Sequence, residues 1–189
     1  MHISHISRMR HLALAGILFC FASVTTAEPE GGASLLKRDQ SVINAFQVMC
    51  TLELPKFETI ATKAEAMQMR PVTENKLPAP GGVIARLKVW SNGLTTGAVV
   101  LTLEEVTGPK GTVTSCAVVA DIQDTEALRN EAINTLKLTA IKSPESDRDG
   151  RRSFIWEGAY GSETTVVIQD FKPSGKPGIM LKLESRQKP

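Results

Sequence analysis

Residues Gly111–Leu138 read GTVTSCAVVADIQDTEALRNEAINTLKL, and the change of period inside them decides the fold. Thr112–Asp121 is rich in β-branched residues and opens after the turn-forming run Gly108-Pro109-Lys110-Gly111. It is expected as a strand. Asp124 is a good helix N-cap, and Thr125–Leu138 then follows helical spacing, with Leu128, Ala132 and Thr135–Leu136 on one stripe. Glu126 near its start and Lys137 near its end suit the helix dipole.

Upstream, Val83–Trp90 alternates, with Val83, Ala85, Leu87 and Val89 on one face and Arg86 and Lys88 on the other. Asn92-Gly93 is a hairpin signal, and Ala98–Val106 is expected as the next strand. Arg70–Pro80 reads as a Pro-rich connector. Before it, a helix after Pro55 presents Phe57, Ile60, Ala61, Ala64 and Met67, and a shorter helix over Ser41–Cys50 presents Val42, Phe46 and Met49. Downstream, Lys142–Gly150 reads as a charged loop. Arg152–Glu157, Thr164–Asp170 and Gly178–Glu184 read as strands. The expectation is one α+β domain over 35–185, followed by a polar tail over 186–189. Its antiparallel sheet would have about six strands with helices on one face.

The order helix, three strands, helix, three strands predicts an internal α-β-β-β repeat. A slide of 67 positions carries Val99-Val100-Leu101 onto Val166-Val167-Ile168 and Gly108–Gly111 onto Gly175–Gly178. Two Gly/Pro/Lys hairpins can also resemble each other by chance, so both readings stay open. The same register places Cys116 with Leu183, on the helix-covered face.

Residues 1–27 have the three parts of a secretory leader: a polar start with Arg8 and Arg10, the apolar run Leu12–Val24, and small residues Thr25 and Ala27 before Glu28. About 13 apolar residues are too few to span a bilayer, which takes roughly 20. Cys20 follows Phe19, where a lipid-attachment site takes a small residue. No later apolar run is long enough to span, so no integral membrane segment is expected after cleavage. Glu28–Ser34 reads as a flexible spacer. The expected location is periplasmic, with secretion beyond the cell as the alternative.

Cleavage removes His2, His5 and His11, the only histidines, together with Cys20. Cys50 and Cys116 remain, and an even pair in an exported chain reads as a disulfide. Removing Arg8 and Arg10 from 22 bases and 20 acids leaves no net charge, so no nucleic-acid partner is expected.

Without histidine, Ser-His-Asp and Cys-His catalysis and His-based zinc sites drop out. Glu145–Asp149 (ESDRD) contains Arg148, lacks calcium-loop spacing, and reads as a solvated loop. There is no Walker loop and no GxGxxG, and Gly158–Gly161 (GAYG) is a hairpin turn. Ser34-Leu35-Leu36-Lys37 matches S-x-x-K but adjoins Gly31-Gly32 without the accompanying motifs, and we read it as chance. No catalytic residue, metal or cofactor is assigned.

What remains is surface. Val113, Ala117 and Val119 form an apolar face opposite Cys116. Tyr160 sits at an expected hairpin tip, and Arg151 and Arg152 open the strand containing Trp156. Tyr, Trp and Arg are enriched at binding hot spots, although Trp90 and Trp156 read first as core. The leading expectation is a non-enzymatic exported protein that binds a protein or envelope partner through a sheet face or hairpin tips. Two alternatives stay open. One is a small-molecule carrier with ligand between sheet and helices. The other is a carboxylate hydrolase drawing on Glu53, Glu58, Glu104 or Glu105. Oligomeric state is not legible.

Overall fold

A computed structural model describes residues 40–52, 56–79, 83–92, 99–122, 124–139, 146–148, 151–171 and 178–189. The expected leader, spacer and S-x-x-K match lie outside the described residues. Helix α1 covers 40–46 and runs into a π-helical turn, Gln47–Thr51. Helices α2 (Phe57–Ala66) and α3 (Thr125–Thr135) follow in their respective halves. The strands are β1 (Arg70–Ala79), β2 (Val83–Asn92), β3 (Val99–Gly108), β4 (Gly111–Ala120), β5 (Ser146–Arg148), β6 (Arg151–Glu157), β7 (Thr164–Asp170) and β8 (Ile179–Gln187). They form one antiparallel sheet in the order β1-β2-β3-β4-β8-β7-β6-β5.

The α+β class stands, and the strand count is corrected upward from six. Seven strands have seven or more residues, and β5 adds a three-residue edge piece. The longest omission is β1, expected as a connector because it holds Pro71 and Pro78. Proline lacks a donor and is excluded from central strands, yet an edge strand tolerates it. β1 is such an edge, pairing with β2 alone, and its register shifts between Pro71 and Thr73. At the other end β8 continues to Gln187, into the stretch expected as tail, where Arg186 pairs with Val113.

Each half therefore holds four strands where the slide of 67 positions supplied three. The slide matches burial, since Leu101, Ile168, Cys116 and Leu183 all lie in the core. It does not match pairing. Leu101 pairs with Val118, so the slide requires Ile168 to meet Ser185, but Ile168 meets Leu181. The slip is even, so it preserves faces while breaking the equivalence.

One face of the sheet carries the core. Trp90, Leu101, Leu103, Cys116, Val118, Trp156, Val166, Ile168, Leu181 and Leu183 pack with Phe46, Ile60, Ala64, Leu128 and Ala132 from the helices in one cluster. Burying each large side chain contributes roughly 1.5–3 kcal/mol. The π turn closes with Leu52 N–H donating to Gln47 O at 3.0 Å. The wider turn keeps Phe46, Met49 and Cys50 all inward. Cys50 thereby reaches Cys116, and the two form a disulfide with Cα atoms 5.5 Å apart.

Asp124 caps α3 as expected, its side chain accepting from Ala127 N–H at 3.0 Å. The helix stops at Thr135, short of the expected Leu138, because Lys137 turns left-handed at φ 53° and Leu138 N–H returns to Ile133 O. α2 ends the same way at Gln68, φ 56°. Glycine is required at Gly111, whose φ is +107° and where a Cβ would stand 2.1 Å from Gln187 O.

β2 runs against the usual pattern. Its charged stripe, Arg86 and Lys88, lies on the helix-covered face with Trp90, and its apolar stripe, Ala85, Leu87 and Val89, lies on the face without helices. Arg86 stacks 4.0 Å from the Phe57 ring centroid and bonds Glu58 of α2 at 2.6 Å and Glu105 of β3 at 2.7 Å. Burial opposes the Arg86 charge, but the hydrogen bonds it donates to Glu58 and Glu105, with the charge of both carboxylates, outweigh it and raise its pKa. Lys88 reaches Glu65 of α2 at 3.7 Å and Glu74 of β1 at 3.4 Å.

Candidate functional site

The candidate site is the sheet face away from the helices, and pleat and register build it. On β4 that face carries Val113, Ser115, Ala117 and Val119, the residues alternating with buried Thr114, Cys116 and Val118. Register extends it in rows. Ala85, Val106, Val113 and Arg186 lie side by side, as do Leu87, Glu104, Ser115 and Glu184. The next rows are Val89, Thr102, Ala117, Lys182 and Val167, then Ser91, Val100, Val119, Met180 and Gln169. Apolar side chains thus spread across β2, β3 and β4 and on to Met180, Val167 and Ile155. Val113 and Val119 are half-buried, and Ala117 is buried between Thr102 and Lys182. The polar members include a local pair, Lys182 and Glu184, at 2.5 Å.

The residues expected to form a binding surface are not gathered in one place. Val113, Ala117 and Val119 share the centre of the face. Arg151 reaches the same face from β6, three strands away, and lies 5.4 Å over the Phe171 ring. Arg152 points to the helix side and is engaged within the chain. Tyr160 is not a free tip. It is half-buried against the core, and its hydroxyl hydrogen-bonds with Thr51 of the π turn. Burial pushes its pKa above the ordinary phenol value, and the Thr51 bond offsets part of that rise. Tyr160 therefore ties the β6–β7 turn to the N-terminal helix. Trp90 and Trp156 are core residues.

Two clefts open at the margins. One, of about 210 Å³, is lined by Val113, Glu157, Glu163, Glu184 and Arg186. It brings carboxylates together, as a hydrolase requires, but lysines answer two of them: Lys188 meets Glu163 at 2.7 Å and Lys182 meets Glu184. The Lys188 hydrogen bond holds the Glu163 carboxyl below its usual pKa, whereas a general acid needs the opposite shift. The other cleft, about 280 Å³, lies between α2 and β1 and is lined by Glu65, Val72, Glu74, Lys88 and Trp90. Its lysine is already paired with both acids.

Among the described residues no buried side-chain polar atom lacks a partner, and no group of three or more His, Cys, Asp or Glu could hold a metal ion. Of the ESDRD run, the backbone of Ser146–Arg148 forms β5 and the flanking acids lie outside the described residues. Among the described residues no helix is long and apolar enough to cross a membrane. No family model matches the chain, and no curated protein or solved structure is detectably similar to it.

Sequence reasoning located the β4 part of the face but missed its extension over Leu87, Val89, Val100 and Met180. The alternation of β2 was visible. The side of it that met helices was not, because Arg86 and Lys88 are neutralised only by acids brought in from α2, β1 and β3.

Proposed function

We propose that this is a non-enzymatic, exported protein of the bacterial envelope that binds a protein or envelope partner through the open sheet face. The observation that carries the reading is the row structure of that face. Valine and leucine side chains on three adjacent strands point away from the helices, while β2 turns its charges inward. Large apolar patches rimmed by polar groups mark interaction surfaces. Residues 1–27 act as the cleaved leader, and the periplasm is the working compartment. The Cys50–Cys116 disulfide supports an oxidising location, since such bonds are rare in reducing compartments.

The chain is also proposed to be a tandem of two α-β-β-β-β units. Supporting this, α2 and α3 each end on a left-handed, non-glycine residue followed by a buried one, Gln68-Met69 and Lys137-Leu138. The strand order is symmetric about the β4–β8 pair.

Wild-type protein and Val119→Asp, each immobilised and exposed to periplasmic extract, test the binding role. A component held by wild type and lost from the variant supports it. Equal retention by both contradicts it, as does retention by neither when the wild type runs as a single chain. The carrier reading gains no comparable support, as the core cluster packs the centre between sheet and helices and the lysine of the α2–β1 cleft is already paired, and the hydrolase reading gains none, as the Glu163 carboxyl is shifted away from a general acid's range.

A further inference from the structure

Resting on the reading of the open face as a binding surface, we propose that its occupant is a second copy of the chain. Two sheets would pack face to face, with both helical layers outside. Three observations favour this occupant.

The first is size. Seven strands about 4.8 Å apart, paired over roughly 25 Å, give a face of about 850 Å², close to the roughly 800 Å² per partner of a standard interface. The second is charge. The face carries Glu104, Glu157 and Glu184 against Arg70, Arg151, Lys182 and Arg186, by pleat and register. Both signs are interspersed and differ by one charge, so a copy meeting itself incurs little net repulsion, unlike a one-signed face. The third is an unanswered charge within that set. Among the described residues Glu104 is exposed and has no ion-pair partner, although Arg86, Lys88 and Glu105 on the helix side are paired. In a two-fold arrangement the same patch serves both copies, which lets Glu104 of one face meet a base such as Arg186 on the other. The geometry is that of aligned sheet packing, with inner side chains interdigitating about 10 Å apart.

Sedimentation velocity of the purified protein over a range of concentrations tests this. Wild type is expected at twice the mass of one chain. Val119→Asp, at the centre of the face, and Glu104→Arg, an exposed site outside the core, are each expected to halve it while far-ultraviolet circular dichroism is retained. A single-chain mass for wild type at every concentration overturns the proposal, as does a double mass that survives in both variants. A single-chain wild type that still captures a component lost from Val119→Asp overturns self-association alone. A single-chain wild type with equal capture by both proteins removes the binding face as well.

Discussion

Along β2 the two faces of the sheet exchange their usual roles. Toward the helices the strand presents Arg86 and Lys88, which Glu58, Glu65, Glu74 and Glu105 neutralise and Phe57 covers. Toward the helix-free side it presents Ala85, Leu87 and Val89, continued by Val100, Val106, Val113 and Val119 on the strands beside it. A monomer would be expected to place charge where water is and valine where helices are. The inversion is what the proposed binding role requires, a second face that a partner covers. The covering on the helix side is partly polar and held by a covalent tie, whereas among the described residues no helix covers the other face, where apolar and charged side chains are interspersed.

The comparison predicts that stability resides on the helix side. The largest effect is expected from the disulfide, which links positions 66 residues apart. On chain-entropy grounds, replacing both Cys50 and Cys116 by alanine should cost about 4 kcal/mol, read as a lower urea midpoint for the double variant. Next, Leu181→Ala on the covered face should cost about 3 kcal/mol, while Val119→Thr on the open face should cost under about 1 kcal/mol in the dissociated chain. Equal losses would erase the distinction between the faces.

Arg86→Ala should cost about 1 kcal/mol. Its side chain is 30 % exposed and Glu58 is 78 % exposed, so solvent screens much of the pair. The loss should shrink in high salt, leaving the part due to stacking on Phe57.

The smallest effect concerns Tyr160, the only tyrosine. Its folded-state pKa is raised by burial. Its contribution to stability is therefore complete below the unfolded value near 10 and is lost as pH rises through the folded one. Ultraviolet titration should give a midpoint above that of the denatured chain. Thr51→Val should raise it further, because the Thr51 bond acts in the lowering direction.

The sequence carried the class of fold and most strands because period and turn chemistry are local. Gly108–Gly111 gave the β3–β4 hairpin, and Asp124 gave the start of α3. β1 was hidden because Pro71 and Pro78 signal a connector, and only the knowledge that the segment lies at an edge makes them compatible with pairing. The left-handed ends at Gln68 and Lys137 had no glycine to announce them. The site was legible at Val113, Ala117 and Val119, where one strand shows apolar residues on both faces. Its spread over β2 was not, since alternation yields two faces without saying which one helices cover. Tyr160 looked like an exposed tip because the Thr51 contact spans more than a hundred residues of sequence, which local pattern cannot register.

The central claim is that the open face is occupied in the working protein. Its most direct test is a photo-activatable side chain placed at Val119 on that face and, separately, at exposed Ala127 on α3, followed by irradiation in living cells. The account predicts a discrete cross-linked adduct from position 119 and none from position 127. No adduct at 119, or the same adducts from both positions, would contradict it.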